Sequence, residues 1–207
     1  MSPLTVGVTG HRPNRLADAS PRLLRDRVRE VLGFLRGTRP EGAVPTLLTG
    51  LAEGADRIVA QEALELGFRV EAILPFVRSE YEKDFAGPAS LQEFGQLLSR
   101  SGEVHELPGA RRTPEAQDAA YAAVGRFILD RTNVLLAVWD GRRGRGLGGT
   151  TQVLLEALQR GTPVVWIAAG DPHDASVLLG NQDIPFPAGG EAIRAALEAA
   201  RALPKRS

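Results

Sequence analysis

The chain has 207 residues, of which 43% are hydrophobic and 24% charged, proportions typical of a globular protein with one sizeable core. Basic and acidic residues balance at 25 each, so no overall field attracts nucleic acid or an anionic membrane, and a nucleic-acid partner would need a local basic patch. The absence of cysteine excludes disulfides, thiolate zinc sites and cysteine nucleophiles.

Short aliphatic and β-branched runs alternate with longer amphipathic stretches along the chain. The first run starts at Leu4, without the basic segment and long apolar run of a signal peptide, and no stretch approaches the roughly 18 apolar residues of a membrane span. We therefore expect a cytoplasmic protein with no membrane partner. The predicted strands are Leu4–Thr9, Pro45–Thr49, Arg69–Leu74, Glu103–Leu107, Val134–Trp139 and Pro163–Ala168. The predicted helices are Pro21–Arg36, Ala55–Leu66, Leu91–Ser99, Pro114–Arg131, Thr150–Arg160 and Glu191–Leu203.

Strand patterns such as VLLAV and VVWIA are apolar on both faces, which is typical of a parallel sheet covered by helices on each side. The alternation predicts an α/β fold, a Rossmann-like open and mainly parallel sheet, in one domain over residues 1–207. Two segments rich in Gly, Pro and Asp, Arg78–Pro88 and Gly170–Gly190, are expected to be excursions, either of which could fold over a site.

The loops that follow parallel strands share one edge of the sheet, where ligands bind. After the first strand come Gly10, His11 and Arg12. We expect His11 and Arg12 to project over this edge, where the guanidinium of Arg12 can make two hydrogen bonds to a phosphate or carboxylate. A surface ion pair is the alternative role of Arg12.

The loop after the second strand is framed by Gly50 and Gly54 and runs into a helix. Glycine allows the backbone N–H groups of such a turn to approach a ligand closely. Glu53 is a carboxylate at the same edge, suited to bind ribose hydroxyls or to act as a base. Asp56 and Arg57 are equally consistent with ordinary first-turn helix chemistry.

The last of these loops joins Asp140, at the end of the NVLLAVWDG strand, to the stretch GLGGTTQVLLE at 146–156. Three glycines and two threonines at a strand-to-helix turn predict an anion site, because a helix N-terminus carries unpaired N–H groups and a partial positive charge. An ordinary tight turn with an N-cap is the alternative. The predicted phosphate-binding residues are Gly148, Gly149, Thr150 and Thr151.

Other chemistry is sparse. Neither the three histidines nor any motif predicts a metal or a cofactor, and no G-x-x-x-x-G-K-[ST] loop is present. Aromatic residues make up 5% of the chain, too few for the stacking surface of a single-strand binder.

The segments TGHRP, TGLAEGADRIVAQEALELG, ILPF with YEKDF, and VLLAVWDG with GLGGTTQVLLEALQRGTPVVWI together resemble the SLOG superfamily. This group of Rossmann-like domains includes the DNA-processing protein A family, the lonely-guy phosphoribohydrolases and nucleotide-sensing domains. The likeness covers most of residues 4–167, and the GADR and GGT signatures carry it jointly. It implies a nucleotide or nucleotide-derived ligand across the glycine-rich loops.

The chain departs from the lonely-guy enzymes at their P-G-G-x-G-T-x-x-E pattern, whose glutamate serves catalysis. Three residues after Thr150 the chain has Val153, and three after Thr151 it has Leu154. Glu156 lies further along and would point away from that position on a helix. The phosphate cradle is therefore kept, whereas the hydrolase signature is absent.

These features predict a nucleotide-binding protein, a sensor or ligand-binding module. In it Arg12 supplies positive charge, Gly10, Gly50 and Gly54 permit close approach, and Glu53 contacts ribose. Whether it is an enzyme stays open, and the first alternative is a nucleoside-monophosphate glycosidase in which Glu53 polarises water. The second is a DNA-binding module, disfavoured by the zero net charge.

The helix Pro114–Arg131 presents a broad apolar face, and such a surface is usually buried against a partner. We therefore expect a homo-oligomer; the alternative is a helix sandwiched within the monomer. The face consists of Ala116, Ala119, Ala120, Ala123, Val124, Phe127 and Ile128.

Overall fold

The computed structural model describes residues 4–16, 20–38, 42–142, 149–179, 182–186, 191 and 194–195. Strands and helices alternate through most of this length, as the hydrophobic pattern predicts. The strands are β1 (Thr5–Gly10), β2 (Thr46–Thr49), β3 (Arg69–Leu74), β4 (Glu103–Glu106), β5 (Val134–Trp139), β6 (Val164–Ala168), β7 (Ala175–Leu179) and β8 (Gln182–Pro185). The helices are α1 (Pro21–Gly37), α2 (Ala55–Glu65), α3 (Arg78–Tyr81), α4 (Gly87–Arg100), α5 (Pro114–Arg131) and α6 (Thr150–Gln159).

All eight strands form one sheet in the order β4-β3-β2-β1-β5-β6-β7-β8. Strands β1 to β6 run parallel, whereas β7 and β8 are antiparallel to their neighbours. The predicted Rossmann-like α/β fold is therefore confirmed. The strand order reverses between β1 and β5, which pair with Gly10 opposite Val138. Ligands of such sheets bind outside the carboxyl ends of the strands at this reversal.

The core lies on both faces of the sheet. On one face α2 packs against β1, and α1 packs against α2 and β6. The helix α1 buries Leu24, Val28 and Leu32 at the three- to four-residue spacing of an amphipathic helix. On the other face α5 and α6 cover the sheet, with Leu154 of α6 packed near Leu135 of β5. Hydrophobic burial of this extent is the main force that holds the layers together.

The prediction of an excursion at Gly170–Gly190 is wrong for the described part of that segment. Residues 175–179 and 182–185 form β7 and β8, which extend the sheet antiparallel to β6. Strand β7 buries Ala175 and Val177, so a short apolar alternation is enough to add an edge hairpin. Most of the predicted helix Glu191–Leu203 lies outside the described residues.

The segment Arg78–Pro88 does leave the strand–helix alternation. It contains α3, a 3-10 turn at Glu82–Asp84 and the first turn of α4, which begins at Gly87 rather than at the predicted Leu91. The earlier start follows from Pro88 in the first turn, a position that tolerates proline because its missing N–H would have no helical partner. Among the residues described, no helix combines the length and apolar character that a bilayer span requires.

Candidate functional site

A cavity of about 410 Å³ opens at the carboxyl end of β1, beside the reversal of strand order between β1 and β5. Its walls come from the end of β1, the loops after β1 and β2, the middle of α5 and the first turn of α6. This volume falls in the range of small-molecule sites, roughly 300–1,000 Å³. The cavity is therefore the candidate functional site.

The loop after β1 is tied to the end of β5 through Asp140. The imidazole Nε2 of His11 lies 2.9 Å from Oδ1 of Asp140, and Arg15 forms an ion pair with Oδ2. The backbone N–H of Arg142 donates to Oδ1 of the same carboxylate at 3.0 Å. Asp140 thus fixes two side chains, His11 and Arg15, that line the cavity.

The ionisation of Asp140 and of His11 follows from their surroundings. Burial opposes the charge on Asp140, but the hydrogen bonds from Arg142, His11 and Arg15 outweigh it and bring the pKa of Asp140 to about 2. Burial lowers the pKa of His11 below its usual value, against the opposing effect of Asp140. Asp140 is therefore a carboxylate across the neutral range, and His11 is held toward its neutral form.

The loop after β2 packs directly on the loop after β1. The backbone N–H of Ala55 donates to the carbonyl of His11 at 3.1 Å, so that carbonyl caps the start of α2. Gly54 has φ +96°, and a Cβ there would lie 2.5 Å from the His11 carbonyl oxygen. Glycine at 54 is required by both its backbone conformation and this close approach.

The turn Gly50–Leu51–Ala52, at the start of the same loop, holds the buried carboxylate of Asp56. Asp56 is 8% exposed, lines the cavity, and accepts backbone hydrogen bonds from Gly50 and Ala52. Leu51, fully buried, has φ +51°, a conformation that costs a non-glycine residue about 1 kcal/mol or more. This strained conformation is the one in which the turn presents two backbone N–H groups to Asp56.

Burial of Asp56 dominates its ionisation. It raises the pKa of the carboxyl to about 7, against the opposing effects of the hydrogen bonds from Ala52 and Gly50 and of the positive charges on Arg12 and Arg57. The group is thus able to exchange a proton near neutral pH inside the cavity. Groups whose pKa is shifted by burial and by specific neighbouring charges cluster at functional sites.

One wall of the cavity is built by two tyrosines. The hydroxyl of Tyr81 donates to the carbonyl of Gly50 at 2.9 Å, and that of Tyr121 donates to Asp84. Asp84, whose side chain is 6% exposed, also pairs with Arg111 and lies 3.9 Å from the guanidinium of Arg12. The wall is therefore rigid, and Arg12 reaches across its rim with 45% of its side chain exposed.

The first turn of α6 forms the opposite wall, with Gly149, Thr150 and Thr151 lining the cavity. Gly149 is the N-cap and has φ −80° and ψ 167°, an ordinary extended conformation. A Cβ at this position would meet no atom within 4 Å. Glycine is thus not needed here for backbone conformation, and a side chain would extend into open space beside the cavity.

Glu53 and Arg57 belong to a network behind the cavity. Ser90 of α4 donates to Glu53, and Arg57 donates to the carbonyl of Leu51 at 3.1 Å and to Glu93 at 2.9 Å. The guanidinium of Arg57, 2% exposed, also stacks 4.4 Å from the ring centroid of Phe85. Neither residue lines the cavity. Arg57 therefore has the structural role that the sequence left open, whereas Asp56 faces the cavity.

The structure brings most of the sequence-predicted site residues together. Asp140 does not line the cavity itself but pairs with His11 and Arg15, which do. Glu53 and Gly54 lie in the adjoining loop and do not line the cavity. Gly148 lies outside the described residues. Their part in ligand binding stays a prediction. The predicted residues that line the cavity are Gly10, His11, Arg12, Gly50, Gly149, Thr150 and Thr151.

Sequence reasoning missed Tyr121 and Arg15, and left Asp56 undecided. The G-A-D-R signature was a usable signal for Asp56, since a carboxylate beside two glycines at a strand-to-helix turn is placed at the sheet edge. No local pattern marks Tyr121, because it comes from the middle of α5 and reaches the site only through helix packing.

One group of possible metal ligands lies elsewhere in the described part of the chain. Glu71, Glu103 and His105 bring their ligand atoms within 4.8 Å of one another because β3 pairs with β4. Arg69 already pairs with both glutamates, at 3.5 Å from Glu71. This ion pairing accounts for the group without a metal.

Comparison with known proteins defines the fold. No protein-family model matches the chain, and no curated protein gives a significant match. DNA processing protein A from Streptococcus pneumoniae aligns with 79% of this chain at 18% identity and a TM-score of 0.51. DNA processing protein A from Helicobacter pylori, solved to explain its single-stranded DNA binding mode, aligns with 93% of this chain and 74% of its own, at 17% identity and a TM-score of 0.51.

The chain has a Rossmann-like fold that it shares with these two DNA processing A proteins. The resemblance inferred from the GADR and GGT signatures is confirmed at the level of this fold. At such identities the likeness extends to fold alone, and the chain spans half the length of the Streptococcus pneumoniae protein. In this Rossmann-like fold the cavity lies beside the reversal of strand order, where the glycine-rich loops converge.

Proposed function

We propose that the protein binds a nucleotide or nucleotide-derived phosphate compound in the cavity between β1 and β5, as a sensor or ligand-binding protein. The observation that carries the proposal is the convergence of Arg12 and the first turn of α6 on one cavity. The N-terminal end of a helix is the positive end of its dipole, which favours an anion. Arg12 adds a charged donor at the cavity, and within the described part of the chain its contact with a carboxylate is a loose one, 3.9 Å from Asp84.

The remainder of the cavity suits the non-phosphate part of such a ligand. Tyr81 and Tyr121 supply flat walls, and Asp56 and His11 supply polar groups at fixed positions. A concave site with a few positioned polar groups is the usual form of a small-molecule site. Glu53 contacts the ribose only if the ligand extends beyond the cavity to the loop after β2.

A thermal-shift screen against nucleotides, cyclic nucleotides and ADP-ribose derivatives tests the proposal. A compound that binds only the folded state raises the melting temperature, by an amount that grows with its concentration relative to Kd. Absence of any shift across the panel at millimolar concentration would argue against a nucleotide ligand.

Two variants then locate the binding site by calorimetry with the compound found. Arg12→Ala should weaken binding roughly tenfold to a hundredfold, the equivalent of one charge-assisted hydrogen bond of about 1.5–3 kcal/mol. Arg22→Ala on the exposed face of α1 is the matched control, because that side chain is 91% exposed. Equal loss in both variants would indicate a general charge effect and not a site.

Gly149→Leu should leave the protein folded, because a side chain at this position meets no protein atom nearby. It should abolish binding, because Gly149 lines the cavity and the leucine side chain would occupy space that the phosphate needs. The melting curve of the unliganded variant is the control for folding. Full affinity in a folded Gly149→Leu protein would show that the start of α6 does not hold the phosphate.

A glycosidase is the second candidate, and Asp56 is the observation that favours it. The lonely-guy glutamate is missing, but Asp56 places a buried carboxyl in the cavity. In such a reaction a carboxylate accepts a proton from water as the water oxygen bonds to the anomeric carbon; the C–N bond breaks and its electron pair leaves with the base. Chromatography for free base released from nucleoside monophosphates distinguishes the two candidates.

A further inference from the structure

The carboxyl of Asp56 is buried and faces the cavity. Two backbone N–H groups, from Gly50 and Ala52, point at it from a turn whose middle residue, Leu51, is buried with φ +51°. Backbone strain of this kind persists only where the surrounding structure enforces it, and it concentrates at ligand sites.

Two described arginines, Arg12 and Arg57, act on the charge of Asp56, and of these two Arg12 lines the cavity. Arg57 is engaged by Leu51, Ser90 and Glu93 behind the cavity. Arg12 stands at the cavity rim and stabilises the charged form of Asp56 from there. Among the described residues, the other titratable or charged groups that line the cavity are Tyr81, Tyr121, His11 and Arg15, and Asp84 lies behind the wall, 3.9 Å from Arg12.

We propose that Asp56 takes up a proton when a phosphorylated ligand enters the cavity, and that the neutral carboxyl then donates a hydrogen bond to an acceptor atom of the ligand. This inference rests on the proposed function, because the ligand phosphate supplies the charge that drives the uptake. The ligand class is thereby narrowed to phosphorylated compounds that present an oxygen or ring nitrogen acceptor, and not an amine or other cation, to Asp56.

A bound phosphate favours the neutral form of Asp56 in two ways. A phosphate that pairs with Arg12 cancels the positive charge that favours ionised Asp56, and it adds negative charge to the same cavity. Each change favours the neutral carboxyl. Since the free carboxyl titrates with a pKa of about 7, only its protonated fraction is competent to bind, and that fraction falls steeply above neutral pH.

The probe for the test is inorganic sulfate, which resembles phosphate and stays a dianion between pH 6 and pH 8. Calorimetric titrations of the full chain are run at pH 6, 7 and 8 with chloride added to constant ionic strength. At pH 7 and 8 they are repeated in two buffers of different ionisation enthalpy, since the difference in measured heat gives the number of protons taken up. We expect about half a proton at pH 7 and nearly one at pH 8. The affinity should fall about tenfold between pH 6 and pH 8.

Three variants assign the proton to its group. Asp56→Asn is uncharged and near-isosteric, so it should bind sulfate at pH 8 about tenfold more tightly than the unmodified protein, with no pH dependence. His11→Asn should keep the tenfold dependence, since His11 is the other cavity group that titrates near this range. Asp26→Asn, the same chemical change on the exposed side of α1, should behave as the unmodified protein.

The outcomes separate the inference from the proposed function. Sulfate binding without proton uptake overturns the inference alone, as does a pH dependence that disappears in His11→Asn and persists in Asp56→Asn. No sulfate binding at pH 6 removes the anion site, and with it both proposals. The proton count on the unmodified protein decides the matter even if Asp56→Asn does not fold.

Discussion

His11 Nε2 lies 2.9 Å from Asp140 Oδ1, and this contact joins the carboxyl ends of β1 and β5, which are distant along the chain. Arg15 holds the second carboxylate oxygen. Both partners of Asp140 line the cavity, so the geometry of the site depends on a carboxylate that lies behind it. The reversal of strand order supplies the opening, and Asp140 fixes its edge.

Replacing this carboxylate should destabilise the fold at neutral pH. We expect Asp140→Asn to lower the free energy of unfolding by about 1–3 kcal/mol, because charge-assisted hydrogen bonds become neutral ones. The pKa of Asp140 is depressed from 3.8 to about 2, so its contribution is complete above about pH 4 and is lost as the pH falls through 2. Urea unfolding at pH 7 and at pH 2.5 measures this, and a loss that is equally large at both pH values would contradict it.

Asp56 should affect stability in the opposite sense. Its pKa is raised from 3.8 to about 7, so the folded state binds more protons than the unfolded state between these values and becomes less stable as the pH rises through that window. We expect Asp56→Asn to be more stable than the unmodified protein at pH 8, by an amount on the order of 2–4 kcal/mol, and similar to it at pH 4. Melting temperatures across this range test the sign; a variant that is less stable at pH 8 would show that the turn requires the charge.

Replacement by alanine should affect protein stability differently at Gly54 and at Gly149. Gly54→Ala places a Cβ 2.5 Å from the His11 carbonyl in a left-handed conformation, and we expect a loss of several kcal/mol or failure to fold. Gly149→Ala meets no atom within 4 Å and has φ −80°, so its melting temperature should change little. Comparable destabilisation in both variants would mean that the start of α6 is packed more tightly than its geometry indicates.

We expect no measurable binding of single-stranded DNA at physiological salt. The formal charge of the chain is zero, and phosphate neutralisation by Lys and Arg supplies most non-specific affinity. Fluorescence anisotropy with a labelled oligonucleotide at several salt concentrations is the measurement. Tight binding with a steep salt dependence would favour the DNA-processing function over the nucleotide site.

The assembly prediction depends on α5. Ala120, Val124 and Ile128 of its apolar face are buried within the chain, whereas Ala119 is exposed and Phe127 is half-buried. A homodimer or larger assembly through helical surfaces of this kind remains our expectation, because an apolar surface left exposed favours association. Light scattering at micromolar concentration decides it: a mass of 22.2 kDa at every concentration would show a monomer with α5 only sandwiched inside it.

Local pattern determined much of this protein. Runs such as VLLAVW are apolar on both faces and so must be covered on both, which fixes β5 as an interior parallel strand. Helix α1 follows from its apolar spacing, from Ser20 as N-cap and from Pro21 at its first position. The position of the cavity was predictable too, because loops after parallel strands meet at one edge whatever their distance along the chain.

Tertiary structure alone decided which side chains face that cavity. Glu53, Asp56 and Arg57 are neighbours in the sequence and look alike as site residues. Their directions depend on the positive φ of Leu51 and on the position of α4, whose Ser90 draws Glu53 and Arg57 away from the cavity. Asp56 alone of the three is left with its carboxyl in the cavity wall, where burial moves its titration to neutral pH. Burial and side-chain direction depend on contacts between distant segments, and no local pattern in the sequence specifies them.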